Sequence, residues 1–425
     1  MAIPSAAHPT GGLASRVPRL PDGFGEALWL FVVMRVALGV FALFVIGHAA
    51  SVPTSCHFEL ALDHWQTVPP LADSPSEFPF VGVWQRWDAC WYSKVATFGY
   101  EAAEDSANFW PALPAAMRVV SLPLGGDVAL AGLIVVGFAY VLGIVGLFRL
   151  VKTDWDEGLA RRTSLFITIA PAALFLFAPY TEAVFLASTV WALYAARRRR
   201  WWIAVLAGLV AGLTRIQGVF LVLPIAWEAF CAWRDGGLRP SLPATGSAAS
   251  TPEGAGRRLR ARLPSLASVV ATIAPAIGFA SFLIATKVWT GRTPLDTQDV
   301  WGGKNFHWPW ETVAATVQWI GDHHDSLEAL NLVMLLLFIV LVIVGIRRLP
   351  VSYSLLAIPQ VALIAVRIQP TPLTSTARLV EVVFPAFVVL AMLLNGRRRE
   401  WTWGIASLLA LAALTWMWVV GDWVA

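Results

Sequence analysis

The chain has 425 residues, of which 57% are hydrophobic and only 14% are charged. This composition excludes a soluble globular domain and indicates an integral membrane protein. In such a protein the net charge of +4 is less informative than the positions of the Lys and Arg residues along the chain.

The first 25 residues are rich in Pro, Gly and Ala and predict a disordered cytoplasmic tail. After the tail, a single membrane crossing needs about 20 apolar residues, or fewer if the helix is embedded among others. Seven segments fit this requirement: Glu26–Ala49, Val128–Leu150, Pro264–Trp289, Leu327–Ile346, Pro350–Val366, Leu379–Leu394 and Trp401–Val420. Two further stretches, Thr163–Ala196 and Trp201–Trp233, are too long for one crossing. We interpret each of them as two short crossings joined by a tight turn.

The basic residues favour this paired interpretation, because Lys and Arg concentrate in the cytoplasmic loops of membrane proteins. With the N-terminus inside and about eleven transmembrane helices, most of the 31 basic residues fall on the cytoplasmic side. The predicted fold class is therefore an all-α polytopic membrane domain over residues 26–425. Residues 51–127 form a long extracytoplasmic first loop in this topology, and residues 234–262 form a flexible cytoplasmic linker rich in Gly, Pro, Ser and Ala.

Within the first loop, the stretch Val81–Tyr100 has aromatic and apolar residues at helical spacing. The stripe consists of Trp84, Trp87, Trp91, Val95 and Phe98. On a helix, Asp88 and Tyr92 would lie along one edge of this stripe. The pattern predicts an interfacial amphipathic helix lying flat on the membrane, which carries either a reactive carboxylate or a merely solvated one. A second short helix or turn is predicted at Asn108–Leu124.

No metal site is predicted from the sequence. Cys56, Cys90 and Cys231 lack a metal-ligand spacing, although Cys56 and Cys90 can pair if both are extracytoplasmic. The run Asp322–Asp325 has no distant partner set, and we interpret it as a solvated loop and helix cap.

The two paired crossings turn at the predicted outer surface, and each turn carries an ionisable residue. Glu182 lies at the first turn, and Arg215 lies beside Gln217 at the second. A charge at the membrane centre costs about 2.5–3.5 kcal/mol, so embedded charged residues are functional candidates by default. The alternative is that these residues snorkel to the interface or cap helices. The remaining predicted outer loops add Lys304, His307 and Arg378.

Asp88 and these charged residues are far apart in sequence but share one predicted side of the membrane. Such a combination suits chemistry on an anionic lipid substrate. A carboxylate can accept a proton from an attacking hydroxyl group. Cationic side chains can bind a phosphate and stabilise the charge that develops on it as it leaves.

Several motifs resemble the PIG-V family, also called the GPI mannosyltransferase 2 family, and its bacterial members. RWDACWYSKVATFGY at Arg86–Tyr100 is similar to the family's W-D-x-x-[HW]-[FY]-x-x-I-A-x-x-G-Y, and NFWPALP at Asn108–Pro114 is similar to F-F-P-L-Y-P. APYTEAVFL at Ala178–Leu186 and LTRIQG at Leu213–Gly218 resemble P-Y-[ST]-E and T-R-x-x-G. A weaker similarity is STARL at Ser375–Leu379, where relatives tend to have S-x-R-Y.

The resemblance implies a GT-C-type membrane glycosyltransferase that transfers mannose from polyprenyl phosphate mannose to a lipid-linked or glycan acceptor, with inversion. By motif match, Asp88 is the expected general base and Arg215 the expected ligand of the donor phosphate, with Arg378 and Lys304 as further candidates. The expected substrate contacts are Trp87, Trp91, Tyr92, Tyr180, Glu182, Gln217 and His307.

The expected location is the cell membrane, with a cytoplasmic N-terminus and an extracytoplasmic active site. Expected partners are membrane lipids, the polyprenyl phosphate sugar donor and the acceptor, without nucleic acid, and no cofactor is firmly implied. Two other functions fit the same residues: a transporter or flippase of a lipid-linked sugar, and a noncatalytic assembly subunit. The sequence leaves open the acceptor, the linkage and the identity of the hexose.

Overall fold

A computed structural model gives the fold over residues 21–53, 56, 77–100, 105–238, 264–297, 307–366 and 371–424. Most of the predicted tail, most of the predicted linker and Lys304 lie outside these residues. Within the described ranges, six helices are long and apolar enough to cross a membrane, so the protein is a polytopic membrane protein. The six are Phe24–His48, Val128–Asp154, Ile216–Asp235, Leu266–Thr290, Ser326–Arg348 and Arg397–Val420.

All regular structure in the described ranges is helical. The α-helices before residue 240 are α1 Phe24–His48, α2 Asp88–Phe98, α3 Ala112–Ser121, α4 Val128–Asp154, α5 Glu157–Thr168, α6 Glu182–Arg197, α7 Trp201–Gly212 and α8 Val222–Leu238. Those after it are α9 Leu266–Thr290, α10 Pro294–Thr297, α11 Pro309–His323, α12 Ser326–Arg348, α13 Val351–Ala365, α14 Thr376–Glu381, α15 Phe384–Leu393 and α16 Arg397–Val420. Each of the eleven predicted crossings therefore contains one helix.

Both long stretches are interrupted near the predicted turns. The first stretch breaks between α5 and α6, where the connecting segment contains Pro171, a 3₁₀ turn at Ala173–Leu176 and Pro179. The second breaks after α7, and a 3₁₀ turn at Ile216–Leu221 leads into α8. Helix α5 has 12 residues and is about 18 Å long, which is too short to cross a membrane alone. The predicted span at Leu379–Leu394 is also interrupted, because α14 ends at Glu381 and a proline occupies the first turn of α15.

Acidic side chains define where several helices begin. Asp127, Asp156 and Asp325 accept backbone N–H bonds from the first turns of α4, α5 and α12, respectively. The cap at Asp325 agrees with the interpretation of the run Asp322–Asp325 as a helix cap.

The helices pack closely around α4 and α7. Helix α4 contacts α1, α3, α5 and α6, and α7 packs against α6 and α9. At the crossing of α7 and α9, a Cβ atom on Gly212 would lie 2.1 Å from the carbonyl oxygen of Pro275. Only glycine permits this approach of the two backbones, as is common where membrane helices cross.

A partly buried ionic cluster joins four helices at one end of the bundle. Arg197 on α6 lies 2.7 Å from Asp154 on α4 and 3.2 Å from Glu228 on α8. The hydroxyl group of Tyr353 on α13 donates to Asp154 over 2.6 Å. Glu182 starts the same 16-residue helix α6 that Arg197 ends, so the two residues are roughly 22 Å apart along its axis.

The prediction of one amphipathic helix over the stretch Val81–Tyr100 is wrong. Gly82–Trp84 forms a 3₁₀ turn, and the α-helix begins only at Asp88. The break coincides with Trp87, whose φ of 52° lies in the left-handed region that a helix excludes. Every residue from Ala89 to Ala96 is buried, because α2 packs against α3 and α4. Helix α2 is thus an internal element of the fold instead of a helix with one face in lipid.

Candidate active site

Asp88 lies at a sharp junction between non-helical backbone and α2. The preceding residue, Trp87, adopts a strained conformation with φ 52° and ψ −120°. The hydroxyl group of Tyr180 accepts a hydrogen bond from the backbone N–H of Asp88 and donates one to the carbonyl oxygen of Arg86, each over 3.2 Å. Tyr180 therefore bonds the backbone on both sides of the strained residue and fixes the direction of the Asp88 side chain.

A disulfide and a buried arginine tether the same junction to the segment that follows α1. A disulfide joins Cys56 to Cys90 in the first turn of α2, with a Cα–Cα distance of 5.5 Å. The pairing that the sequence left open is thus present in the fold. Arg86 is fully buried and donates to the carbonyl oxygen of Pro53 over 2.7 Å. The start of α2 is consequently bound to the segment that follows α1.

Four charged residues from distant parts of the chain form one ionic network. Arg378 Nη1 lies 2.6 Å from Asp88 Oδ2, and its Nε lies 3.4 Å from Glu182 Oε1. The same oxygen of Glu182 accepts a hydrogen bond from Arg215 Nη1 over 2.5 Å. The order of contacts is therefore Asp88, Arg378, Glu182 and Arg215. Two carboxylates and two guanidinium groups balance each other in charge.

The four members differ in their access to solvent. The Asp88 side chain is 21% exposed, whereas that of Glu182 is only 1% exposed. Arg378 is 13% and Arg215 9% exposed. Asp88 is thus the member most accessible to an incoming molecule, and Glu182 is an internal counterion of both arginines.

Arg378 is held in its cationic form by its surroundings. Burial lowers the pKa of Arg378, but the nearby carboxylates of Asp88 and Glu182 outweigh burial and raise it above its ordinary value. Its guanidinium group also lies 5.2 Å from the ring centre of Tyr180 and 5.5 Å from that of Phe175. Arg378 is therefore a permanent cation in an aromatic cage.

Helix α12 positions the segment that carries Arg378. Glu328 Oε1 accepts a hydrogen bond from the hydroxyl group of Thr371 over 2.6 Å, and its Oε2 accepts one from the backbone N–H of Leu373 over 3.2 Å. Three residues along the same helix face, Asn331 accepts the backbone N–H of Ala377 over 2.9 Å. Sequence reasoning missed Glu328 and Asn331, although a buried acid and amide inside an apolar helix are a usable signal.

The T-R-x-x-G segment positions Arg215. Thr214, two residues beyond the end of α7, donates to the carbonyl oxygen of Val210 over 2.6 Å. A Cβ atom on Gly218 would lie 2.1 Å from the carbonyl oxygen of Ala211, so glycine is required where the 3₁₀ turn folds back on α7. Arg215 stands at this turn in extended conformation and reaches Glu182.

The C-terminal end of α16 forms one wall of the site, which the sequence did not predict. Trp418 is fully buried and donates its indole N–H to the carbonyl oxygen of Val83 over 2.8 Å. Its ring packs edge-on against Tyr180, with centroids 5.6 Å apart. Beyond the helix, Trp423 packs edge-on against Trp87 at 4.8 Å. The last helix therefore supports both sides of the Asp88 junction.

The other predicted contact residues do not all point to one cavity. Trp91 is buried and stacks on Phe109 at 5.0 Å, and Tyr92 packs edge-on against the same ring at 5.4 Å. Burial raises the pKa of Tyr92, and the Asp88 carboxylate raises it further, so the phenol stays protonated.

Two predicted residues remain outside the ionic network. Gln217 is buried in the 3₁₀ turn beside Arg215. The backbone N–H of His307 donates to the carbonyl oxygen of Val366, and its ring lies 3.7 Å from Glu311. Within the described ranges, no group of three or more His, Cys, Asp or Glu side chains is arranged to hold a metal ion.

Comparison with known proteins connects this geometry to one family. The sequence profile of the family described as Mannosyltransferase (PIG-V) matches residues 26–229. Nearly half of the chain is thus similar to the PIG-V family. The match contains Asp88, Glu182 and Arg215, while Arg378 lies beyond it.

Individual relatives cover a smaller part of the chain. GPI mannosyltransferase 2 from Cryptococcus neoformans var. neoformans serotype D is 33% identical over 161 residues, which make up 35% of this chain and 37% of that protein. GPI mannosyltransferase 2 from Chaetomium globosum is 34% identical over 116 residues, or 23% of this chain and 24% of that protein. The matched region therefore spans well under two thirds of the length of these curated relatives.

Proposed function

We propose that the protein is an inverting mannosyltransferase with a GT-C-type fold. It transfers mannose from polyprenyl phosphate mannose to a lipid-linked or glycan acceptor at the extracytoplasmic face. The observation that carries the proposal is the network of Asp88, Arg378, Glu182 and Arg215, which combines an accessible carboxylate with two cations. Three of its members lie in the part of the chain that is similar to the PIG-V family.

In the proposed reaction, Asp88 accepts the proton of the acceptor hydroxyl group while the hydroxyl oxygen attacks the anomeric carbon of mannose. The bond between that carbon and the phosphate oxygen breaks, and its electron pair leaves with the phosphate. The products are the mannosylated acceptor, protonated Asp88 and polyprenyl phosphate. Attack opposite the leaving group inverts the anomeric carbon.

Arg378 and Arg215 are the proposed ligands of the donor phosphate. Both are paired with carboxylates in the free protein, so the phosphate replaces a carboxylate as the partner of each guanidinium group it binds. When Arg378 turns toward the phosphate, the Asp88 carboxylate is released from this ion pair and can contact the acceptor hydroxyl group. The leaving phosphate gains negative charge, and the two cations then stabilise it more strongly than they stabilised the bound donor.

Asp88→Asn tests the proposed base, since asparagine keeps the shape of the side chain but cannot take up a proton. The assay measures transfer of labelled mannose from polyprenyl phosphate mannose to an acceptor extract by purified protein. We expect transfer to fall by about 10²-fold or more, in line with the typical contribution of general acid–base catalysis. Asp322→Asn is the matched control, because Asp322 is exposed on the same predicted side.

Undiminished transfer by Asp88→Asn would sink the assignment of the base. A flippase gives another result: it moves labelled lipid across liposomes with either variant and forms no glycosidic bond.

The proposed role of Arg215 predicts a different defect, in which Arg215→Gln raises KM for the donor as well as lowering kcat.

A further inference from the structure

A long apolar groove runs between α1 and α4, which both belong to the candidate membrane spans. Its volume is about 870 Å³. The residues that line it along α4 extend from Leu130 to Arg149, which corresponds to roughly 28 Å of helix. Phe138 is 71% exposed and Ile134 45% exposed, so the groove opens toward the lipid. Its length exceeds the roughly 15 Å of one bilayer leaflet, which is half of the hydrocarbon core.

Of the described residues that line the groove, two are charged, Arg35 and Arg149. Arg35 lies near the middle of α1 and donates one hydrogen bond, from Nη1 to the carbonyl oxygen of Phe177 over 2.9 Å. Its guanidinium group also lies 4.9 Å from the ring centre of Trp84. Among the described residues, Arg35 has no acidic partner. A cation within a membrane span is costly and usually marks a binding site or a pathway.

The groove and Arg35 together indicate which kind of molecule can bind there. The apolar lining accepts a hydrocarbon chain, while the guanidinium group of Arg35, which has no acidic partner among the described residues, favours an anion at one end of that chain. Only an amphiphile satisfies both conditions. We propose that the groove binds one anionic phospholipid of the bilayer, with its phosphate on Arg35 and an acyl chain along α4.

This lipid is distinct from the sugar donor of the proposed function. The donor phosphate is assigned to Arg215 and Arg378, which meet at Glu182. No contact within the described part of the chain joins Arg35 to these three residues. Separate cationic groups indicate separate phosphates, so the lipid is an additional component of the protein.

The bound lipid also reaches the supports of the candidate site. Arg35 holds Phe177, which lies three residues before Tyr180, and contacts Trp84, which lies four residues before Asp88. A phosphate on Arg35 neutralises a charge at this point and stabilises the contacts of its guanidinium group. We therefore expect the lipid to stabilise the folded protein.

The test measures lipid binding in the absence of sugar donor and acceptor, so its failure does not depend on the proposed function. Purified, delipidated protein is titrated with phosphatidylglycerol or phosphatidylcholine and examined by native mass spectrometry. We expect one phosphatidylglycerol molecule to bind, with about tenfold or greater preference over phosphatidylcholine. Both lipids carry a phosphate, but the choline cation of phosphatidylcholine offsets its negative charge, so only phosphatidylglycerol brings a net negative charge to Arg35.

Two pairs of variants locate the lipid. Arg35→Gln is expected to weaken phosphatidylglycerol binding by about tenfold or more, whereas Arg149→Gln at the other end of the groove is not. Ile134→Trp fills the groove and is expected to abolish binding. Val36→Trp is its control, because Val36 is 59% exposed on α1 and lies outside the groove.

Three results would overturn the proposal. The first is equal binding of phosphatidylglycerol by wild type and Ile134→Trp. This variant changes a lipid-facing residue and keeps Arg35, and its folding is checked by size-exclusion chromatography. The second is loss of binding in Arg149→Gln but not in Arg35→Gln. The third is displacement of phosphatidylglycerol by an equimolar amount of polyprenyl phosphate, which would assign the groove to the donor chain instead.

Discussion

Removing the charge of Glu182 is expected to destabilise the protein more than any other single change in the ionic network. Glu182 is 1% exposed, and its Oε1 faces both Arg215 at 2.5 Å and Arg378 at 3.4 Å. Glu182→Met leaves two buried guanidinium groups with only Asp88 to balance them. Breaking a buried ion pair from one side costs about 3–5 kcal/mol. Arg215→Met is expected to cost less, because Glu182 then keeps Arg378 as a partner.

The double variant separates charge pairing from shape. Glu182→Met combined with Arg215→Met removes one charge of each sign and leaves the pair of Asp88 and Arg378 intact. We expect its thermal unfolding in detergent to recover toward wild type, with a coupling energy of about 0.5–3 kcal/mol between the two sites. Mannose transfer is expected to stay abolished. Strictly additive losses of stability would refute the reasoning, since independent residues show no such coupling.

Three further predictions concern the supports of the site. Tyr180→Phe removes both hydrogen bonds across the strained Trp87 and is expected to lower the free energy of unfolding by about 1–3 kcal/mol, which thermal unfolding measures. In transfer kinetics, its effect on kcat is expected to be larger than its effect on KM. Glu328→Leu frees the segment before α14 and is expected to lower kcat, while Glu328→Gln, which keeps one acceptor oxygen, retains part of the activity; equal losses would contradict a positioning role. Reducing the disulfide between Cys56 and Cys90, which are 34 residues apart, is expected to lower the free energy of unfolding by about 3–4 kcal/mol, because the unfolded chain regains the entropy of the closed loop. Cys231→Ser is expected to have no effect on the thermal stability.

Hydropathy and charge suffice to predict which segments of the membrane domain contain long apolar helices, but not the residues that support the site. The interruptions near Pro179 and Arg215 are predictable because each stretch is too long for one crossing and contains turn residues at its centre. The contacts of Arg378 with Asp88 are not predictable from hydropathy, since the two residues are 290 positions apart in sequence. Their proximity depends on how α12, α14 and α16 pack, which no periodicity encodes.

The role of the first loop shows a second limit of pattern reasoning. Trp84, Trp91 and Val95 repeat at helical spacing, and the same spacing is compatible with a helix at the membrane surface or inside the protein. In the fold all three are buried. Burial on every side cannot be inferred from one stripe, because the elements that cover the other faces lie elsewhere in the chain.

Because α2 is buried inside the protein, the depth of Asp88, the candidate base, is set by the fold and not by the lipid. A helix floating at the interface would move with the lipid, and its carboxylate would follow the thickness of the bilayer. Helix α2 is instead fixed by the disulfide at Cys90, by Tyr180 and by the indole of Trp418, all of which belong to or contact the packed bundle. Glu182 is equally fixed, because α6 is bound by ionic contacts at both of its ends. The distance between Asp88 and the two arginines is therefore a property of the protein fold, and the proposed lipid-borne donor has to present its phosphate at that depth.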